Sequence, residues 1–203
     1  MTKTIDYYFP PQSPFAYLGH ARFAELVARL GCEVRVRPCD MGEVFKQSGG
    51  LPLGQRAPQR QAYRLVELAR WRDFLGLPMN TQPAFFPVAA DPASKLIIAA
   101  DLDHGSAAAM TVAGAVFSAV WAEQKNIADV QTLADLATAS GLDGRLLVER
   151  SQSPEVAAQY QAHTRAALDA GVFGAPWFVF EGQGYWGQDR LDFLERAITK
   201  AAA

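Results

Sequence analysis

The chain has 203 residues, of which half are hydrophobic and a fifth are charged, and its formal net charge is −2. A chain of this size and composition can bury a substantial core as one domain or as two closely packed domains. The small net charge gives no general attraction to nucleic acid or to an anionic membrane, so we expect neither as a partner.

Cysteine content and hydrophobic patterning narrow the class further. Cys32 and Cys39 are too few for a disulfide framework and are not spaced as C-x-x-C, so dithiol redox chemistry and a structural zinc site lack support, and we expect no bound metal. The first residues have no apolar region typical of a signal peptide. The most apolar run, residues 107–122, is too short and too rich in alanine to span a bilayer. The expected location is the cytoplasm.

The first forty residues predict a strand, a helix and a second strand. Residues 5–9 are mostly β-formers, and two prolines then end the strand. Ser13 suits a helix N-cap and Pro14 the first helical position. An apolar stripe at helical spacing follows, Gly31 ends the helix, and residues 33–37 alternate as in a half-buried strand.

Ser13 would lie at the positive end of the helix dipole, among free backbone N–H groups. A hydroxyl there can steady an anion, including a thiolate. The simpler interpretation, that Ser-Pro only begins a helix, stays open on these residues alone.

No strand pattern occurs between residues 40 and 170, and the segment predicts helices separated by loops. A rigid aromatic loop is expected at residues 82–87. The predicted helices are 41–47, 57–75, one starting at Asp91, 106–123, 129–140, 143–150 and 154–170.

Strands return at the C-terminal end. Residues 177–180 predict a strand, residues 181–184 a turn and residues 185–186 a short partner strand, and Asp189 is expected to cap a final helix. The element order βαβ, helices, ββα is that of the thioredoxin plan. We therefore predict an α/β, thioredoxin-like fold, with a thioredoxin-like domain at residues 1–40 and 171–203 and an inserted all-helical domain at residues 41–170.

Three motifs carry a resemblance that covers nearly the whole chain. Ser13–Leu18, SPFAYL, resembles the active-site stretch of 2-hydroxychromene-2-carboxylate isomerases and, more loosely, of kappa-class glutathione transferases. Residues 171–176, GVFGAP, resemble the cis-proline segment of the same family, and residues 186–191, WGQDRL, resemble its glutathione-binding turn.

This resemblance implies glutathione as cofactor. Ser13 would activate its thiol rather than act as a nucleophile, since a hydroxyl can donate a hydrogen bond to sulfur but forms no mixed disulfide. The backbone of Ala175, held by a cis Pro176, would pair with the cysteinyl backbone, and Gln188 and Asp189 would take the γ-glutamyl end. Trp186 and Gly187 belong to the same turn. Simpler roles stay open for three of these residues: Asp189 as a plain N-cap, Trp186 as a core aromatic and Gly187 as relief of a tight bend.

The implied reaction interconverts 2-hydroxychromene-2-carboxylate and trans-o-hydroxybenzylidenepyruvate, a step in the breakdown of aromatic hydrocarbons. The helical insertion would supply the substrate pocket, with Phe85 and Phe86 as an apolar wall and Gln55, Arg56 and Arg60 as polar groups for the aromatic carboxylate. A solvated helix face is an equal interpretation of the arginines.

The chain departs from the family pattern at three places. Residues 10–12, PPQ, replace an Asp-containing turn, residues 49–50, GG, stand where asparagine is common, and Arg60 stands where lysine is common. These departures bring into question the part of the site that would bind the second substrate, and leave the part that would bind glutathione intact.

Two rival functions remain. One is a kappa-like glutathione transferase or peroxidase acting on another electrophile, and the other is a thioredoxin-fold binding protein without chemistry. A homodimer is expected by analogy. His20, His104 and His163 are expected to be surface or packing residues, and Cys39 a small buried one.

Overall fold

A computed structural model describes residues 3–201 as a four-stranded mixed sheet with helices around it. The strands are β1 (Thr4–Phe9), β2 (Glu33–Pro38), β3 (Trp177–Phe180) and β4 (Gln183–Trp186), in the order β2-β1-β3-β4. β1 pairs parallel with β2 and antiparallel with β3, which pairs antiparallel with β4. This topology confirms the predicted thioredoxin-like fold.

The first and the last helix of the chain follow the first and the last strand of the sheet. Helix α1 (Pro14–Leu30) has proline at its start and ends at Gly31, whose φ of 61° lies in the left-handed region that glycine adopts without strain. The buried face of helix α9 (Leu191–Lys200), which includes Leu194, packs against β3 and β4.

Seven helices lie between β2 and β3, and the described residues of that segment contain no strand, as predicted. Helix α5 ends at residue 121, two residues before the predicted end. Short 3-10 turns at Leu53–Gln55 and Gln188–Arg190 were not predicted. The helices are α2 (Met41–Ser48), α3 (Pro58–Leu75), α4 (Asp91–His104), α5 (Ser106–Trp121), α6 (Val130–Ala139), α7 (Gly144–Ser151) and α8 (Pro154–Asp169).

One hydrophobic core joins the sheet to these helices. The rings of Phe9 in β1 and Phe117 in α5 lie 5.2 Å apart, and Tyr7 stacks on Phe178 at 5.1 Å. Because α4 and α5 belong to the same buried cluster as the strands, the division at residues 40 and 170 stays a prediction about domains that share a core. The outermost positions of the predicted thioredoxin-like domain, 1, 2, 202 and 203, lie outside the described residues.

The histidines have the packing and surface roles predicted for them. His20 donates from Nε2 to the Met110 carbonyl (3.0 Å) and accepts at Nδ1 from the Tyr7 hydroxyl (3.4 Å). His163 is 4% exposed and bonds Gln159 at 2.9 Å. Burial lowers the pKa of His20 and of His163 to about 4, so both are neutral at physiological pH. His104 is exposed.

Cys39 is buried, as predicted. Its side chain is 1% exposed, and burial raises the pKa of its thiol to about 12. Such a thiol is not a nucleophile at neutral pH. Across residues 3–201, no helix is both long and apolar enough to cross a membrane.

Candidate active site

Ser13 caps helix α1 and stands at its tip. Its Oγ accepts a hydrogen bond from the N–H of Ala16 at 3.1 Å, and its own N–H donates to the Pro10 carbonyl at 2.9 Å. The side chain is 7% exposed. The predicted N-cap is therefore confirmed.

The hydrogen bonds of the first turn leave two donors available at this tip. Oγ of Ser13 accepts from Ala16, so its hydroxyl proton is free to donate elsewhere. Pro14 has no N–H, and the N–H of Tyr17 already donates to the Ser13 carbonyl. Among residues 3–201, the N–H of Phe15 has no hydrogen-bond partner, and a helix tip with free N–H groups favours an anion.

The predicted cis proline is present at the same edge of the sheet. The Ala175–Pro176 peptide bond is cis. Tyr8 pairs with Trp177 in the β1–β3 ladder, so Pro176 lies at the level of Phe9, four residues before Ser13. Outside the helices and strands, the described backbone hydrogen bonds include none from Ala175, which leaves its backbone available to an extended peptide.

The turn of residues 186–189, called here the 186–189 turn, is bonded directly to the cis proline. The N–H of Gly187 donates to the Pro176 carbonyl at 2.9 Å. Gly187 has a φ of 107°, and a Cβ added there would lie 2.4 Å from Oδ1 of Asp189. Glycine is required at this position, which agrees with the predicted role of relieving a tight bend.

Trp186 is not a core aromatic. Its side chain is 52% exposed, and its ring contacts Phe173 edge-on at 4.7 Å. A Cβ added to Gly174 would lie 2.4 Å from the indole Nε1 of Trp186. The indole thus lies against the chain segment that leads into Pro176 and packs it from outside.

Gln188 and Asp189 have unlike surroundings. Gln188 is 2% exposed and its side chain bonds Arg22, so its amide is turned into the protein. Asp189 is exposed, and its carboxylate pairs with Arg190 at 2.7 Å. The prediction that Asp189 caps the final helix is wrong. The helix begins at Leu191 after a 3-10 turn at Gln188–Arg190, so Arg190 stands at the N-cap position and no side chain caps the helix. The Asp189 carboxylate bonds Arg190.

The residues predicted for the second substrate are only partly brought together. Gln55 and Arg60 are exposed, and Arg56 donates to the Leu51 carbonyl at 2.8 Å. Phe85 is 43% exposed, whereas Phe86 packs on the indole of Trp121 at 4.9 Å between ring centroids.

The Phe86 loop reaches the tip of α1 through Gln12. The N–H of Val88 donates to Oε1 of Gln12 at 3.2 Å, and Gln12 directly precedes Ser13. The Tyr17 hydroxyl also donates to the Pro78 carbonyl of the same loop, at 2.5 Å. Of the five predicted pocket residues, Phe85 and Phe86 lie in this loop, and Phe86 is the one packed inward, on Trp121.

Arg64 and Arg22 were missed by the sequence reasoning. Arg64 lies one turn before the buried Leu68 on the inward side of α3, but the helical period places the exposed Arg60 on the same side, so no signal in the sequence distinguishes the two. Nothing local in the sequence marked Arg22, whose partner Gln188 lies 166 positions along the chain.

No metal site is evident in residues 3–201, where no three His, Cys, Asp or Glu side chains are grouped to hold an ion. A cleft of about 450 Å³ lies away from Ser13, between α2, α4 and α8. Its lining includes Asp40, Asp91, Lys95 and Arg165, and none of the predicted site residues.

Comparison with known proteins agrees with this geometry. The model of the family described as DSBA-like thioredoxin domain matches residues 4–199. The 2-hydroxychromene-2-carboxylate isomerase of Sphingobium xenophagum is 34% identical over 196 residues, which cover 96% of this chain and 97% of the relative. Glutathione S-transferase kappa 1 of Homo sapiens is 24% identical, with 98% and 92% covered. A solved structure of a 2-hydroxychromene-2-carboxylate isomerase superposes with a TM-score of 0.83 at 27% identity, covering 98% of this chain and 96% of that one.

The family model matches residues 4–199, which are nearly the whole chain and include all four strands of the sheet. The chain therefore belongs to the DSBA-like thioredoxin family. None of residues 13–16, SPFA, is a cysteine, so the tip of α1 carries no dithiol. Within the family the chain belongs with the 2-hydroxychromene-2-carboxylate isomerases.

Proposed function

We propose that the protein is a glutathione-dependent cis–trans isomerase that interconverts 2-hydroxychromene-2-carboxylate and trans-o-hydroxybenzylidenepyruvate. The observation that carries the proposal is the combination of a serine cap at the tip of α1 with a cis proline at the same sheet edge. The names of the relatives support the choice of reaction, and the free donors at the tip of α1 support the binding of a charged sulfur.

The residues present fit glutathione. The Ser13 hydroxyl and the Phe15 N–H are unused donors at a helix tip, and both favour a thiolate over a thiol. The Ala175 backbone is free to pair with the cysteinyl backbone of the tripeptide. The exposed carboxylate of Asp189, which already pairs with Arg190, can also pair with the ammonium group of glutathione. Because the Gln188 side chain is turned inward, we assign to Gln188 a backbone contact only.

Bound glutathione supplies a thiolate that adds to the conjugated C=C and leaves again, so that the bond is single while it rotates. The Ser13 hydroxyl would donate a hydrogen bond that stabilises the thiolate before it adds and again as it departs. Pro176 and the 186–189 turn keep the tripeptide in one orientation, because the Gly187 N–H ties the turn to the Pro176 carbonyl. Phe86 supplies an aromatic wall for the substrate ring.

An assay of the purified protein tests this function. Conversion of trans-o-hydroxybenzylidenepyruvate is followed by its absorbance, with and without millimolar glutathione. We expect a rate above background only when the thiol is present. Ophthalmic acid, in which the sulfur is missing, should bind and inhibit. A rate that is independent of glutathione would reject the mechanism.

A kappa-like transferase is the second candidate, because kappa relatives match over most of their length. It predicts a stable glutathione conjugate, whereas the isomerase predicts no net loss of glutathione. Raising glutathione should raise the melting temperature in both cases, and absence of that shift would leave only a binding protein without this cofactor. The homodimer and the cytoplasmic location remain predictions.

A further inference from the structure

Arg64 is a half-buried cation on the inward side of α3. Its guanidinium lies over the ring of Phe86 at 5.2 Å and over that of Trp121 at 5.8 Å. Burial, and next the nearby charge of Arg56, lower the pKa of Arg64 to about 10, so the group stays charged at neutral pH.

Arg64 has aromatic neighbours but no anion. In the part of the chain that the structure describes, its guanidinium makes neither a hydrogen bond nor an ion pair. Arg70 on the same helix shows the contrast, since it pairs with Glu67 at 2.8 Å while far more exposed. A half-buried cation without a carboxylate partner loses part of its hydration, which the aromatic contacts partly offset, and a ligand anion would give it a charged partner.

The position of Arg64 connects it to the tip of α1. Phe86, under the guanidinium, lies two residues before Val88, whose N–H donates to Gln12 next to Ser13. The two arginines before it on the chain are less suited: Arg60 is exposed, and Arg56 already donates to the Leu51 carbonyl. Arg64 is thus the arginine of this helix that packs on the loop between α3 and α4, and that loop is tied through Val88 to Gln12, the residue before Ser13.

We propose that Arg64 binds the carboxylate of an aromatic substrate whose ring lies against Phe86, and that it selects anionic substrates over neutral ones. This inference rests on the proposed function for the identity of the substrate, but not for the existence of the carboxylate site. A guanidinium can grip a carboxylate through two parallel hydrogen bonds, which also fixes the direction in which the conjugated chain points.

The test is a binding measurement that needs no turnover. 2-Naphthoate is a planar, unreactive aromatic carboxylate, and 2-naphthamide is its neutral counterpart. Titration calorimetry of both probes in millimolar glutathione compares the wild type with Arg64→Gln, Arg64→Lys and the control Arg70→Gln. The control removes an exposed charge on the same helix, at a residue outside the predicted pocket.

We expect Arg64→Gln to weaken 2-naphthoate binding about 10- to 100-fold, as for a lost hydrogen bond to a charged group, and to leave 2-naphthamide unchanged. Arg64→Lys should recover part of the affinity, because it restores charge without the planar fork. Arg70→Gln should have little effect. In the isomerase assay, KM for the anionic substrate should rise in Arg64→Gln more than kcat falls.

Three results would overturn the assignment: no 2-naphthoate binding by the wild type, equal weakening of both probes, or an equal effect of Arg70→Gln. If Arg64→Gln unfolds the protein, the test uses Arg64→Lys instead. The ratio of its affinities for 2-naphthoate and 2-naphthamide should then be lower than in the wild type, and an unchanged ratio would overturn the assignment. A wild type that binds 2-naphthoate through Arg64 but does not isomerise would reject the proposed function and keep the carboxylate site.

Discussion

Arg22 in α1 donates hydrogen bonds to both oxygens of Gln188, reaching the carbonyl at 3.0 Å and the side-chain Oε1 at shorter range. Gly19 lies one turn earlier, and a Cβ there would be 2.8 Å from the Cβ of Gln188. Helix α1 therefore supports the 186–189 turn as well as presenting Ser13. The two ends of the proposed glutathione site are built on one rigid element.

Arg22→Met tests this support. The variant keeps an apolar stem but leaves the buried Gln188 amide without its partner, so we expect a loss of about 1–3 kcal/mol in the free energy of unfolding. The turn should shift, and the KM for glutathione should rise while the pH dependence of kcat stays the same. Arg29→Met is the matched control on the same helix, since its exposed pair with Glu195 contributes little. An unchanged KM for glutathione in Arg22→Met would show that the turn does not depend on this contact.

Gly174→Ala tests the packing of Trp186 against the segment before the cis proline. The new methyl group would lie 2.4 Å from the indole nitrogen, so either the indole or the chain must move. We expect a destabilisation of about 1–3 kcal/mol and weaker glutathione binding, measured by denaturant unfolding and calorimetry.

The cause can be isolated with a double variant. In a Trp186→Leu background the same Gly174→Ala change should cost clearly less, because the rigid ring is gone. Gly54→Ala serves as control, since a Cβ there meets no atom within 4 Å. Equal costs in both backgrounds would mean that Trp186 is not what requires glycine at position 174.

Ser13→Ala tests the thiolate-stabilising hydroxyl. Without that donor the pKa of the bound thiol should rise, so the pH–rate profile should move to higher pH and the rate at neutral pH should fall about 10- to 100-fold. The variant also loses an N-cap, which costs about 1 kcal/mol of stability.

The chain offers a close control for the cap itself. Ser153 also precedes a proline and caps α8, with its Oγ accepting from Val156 at 3.3 Å. Ser153→Ala should lower stability by a similar amount and leave the rate alone. If both variants lose activity equally, the effect belongs to stability rather than to the thiolate.

The sequence was informative where local chemistry decides the structure. Ser13 and Pro14 define a helix start through cap geometry alone, and the alternation in β2 predicts which side chains face the core. The cis bond before Pro176 was implied by the family motif rather than by physics. These features depend on residues a few positions apart, so a one-dimensional pattern contains them.

The missed features depend on partners far along the chain. Gln188 faces inward because Arg22, 166 positions away, is there to bond it. The missed cap at Asp189 is the local exception, since a 3-10 turn at Gln188–Arg190 precedes α9 and leaves Arg190 at the N-cap position. Arg64 is half-buried only because the Phe86 loop and the end of α5 meet over α3. Tertiary placement, not helix periodicity, separates it from the exposed Arg60.

The two packed histidines predict how stability falls in acid. The pKa of His20 and that of His163 are each lowered by burial from 6.5 to about 4. Below pH 6.5 the unfolded chain therefore binds protons that the folded protein does not, and stability falls as the pH drops towards 4. Each histidine should remove about 1.5 kcal/mol between pH 6.5 and pH 5.

Urea unfolding of His163→Gln and His20→Gln at pH 7 and pH 5 measures this contribution. Both variants should be less stable than the wild type at pH 7, because buried hydrogen bonds are lost, yet each should show a smaller difference between the two pH values. His104→Gln, at an exposed site, should keep the full difference. Carboxylates titrate identically in all four proteins, so a pH difference in the two buried variants as large as in the wild type would mean that neither histidine is the acid-sensitive group.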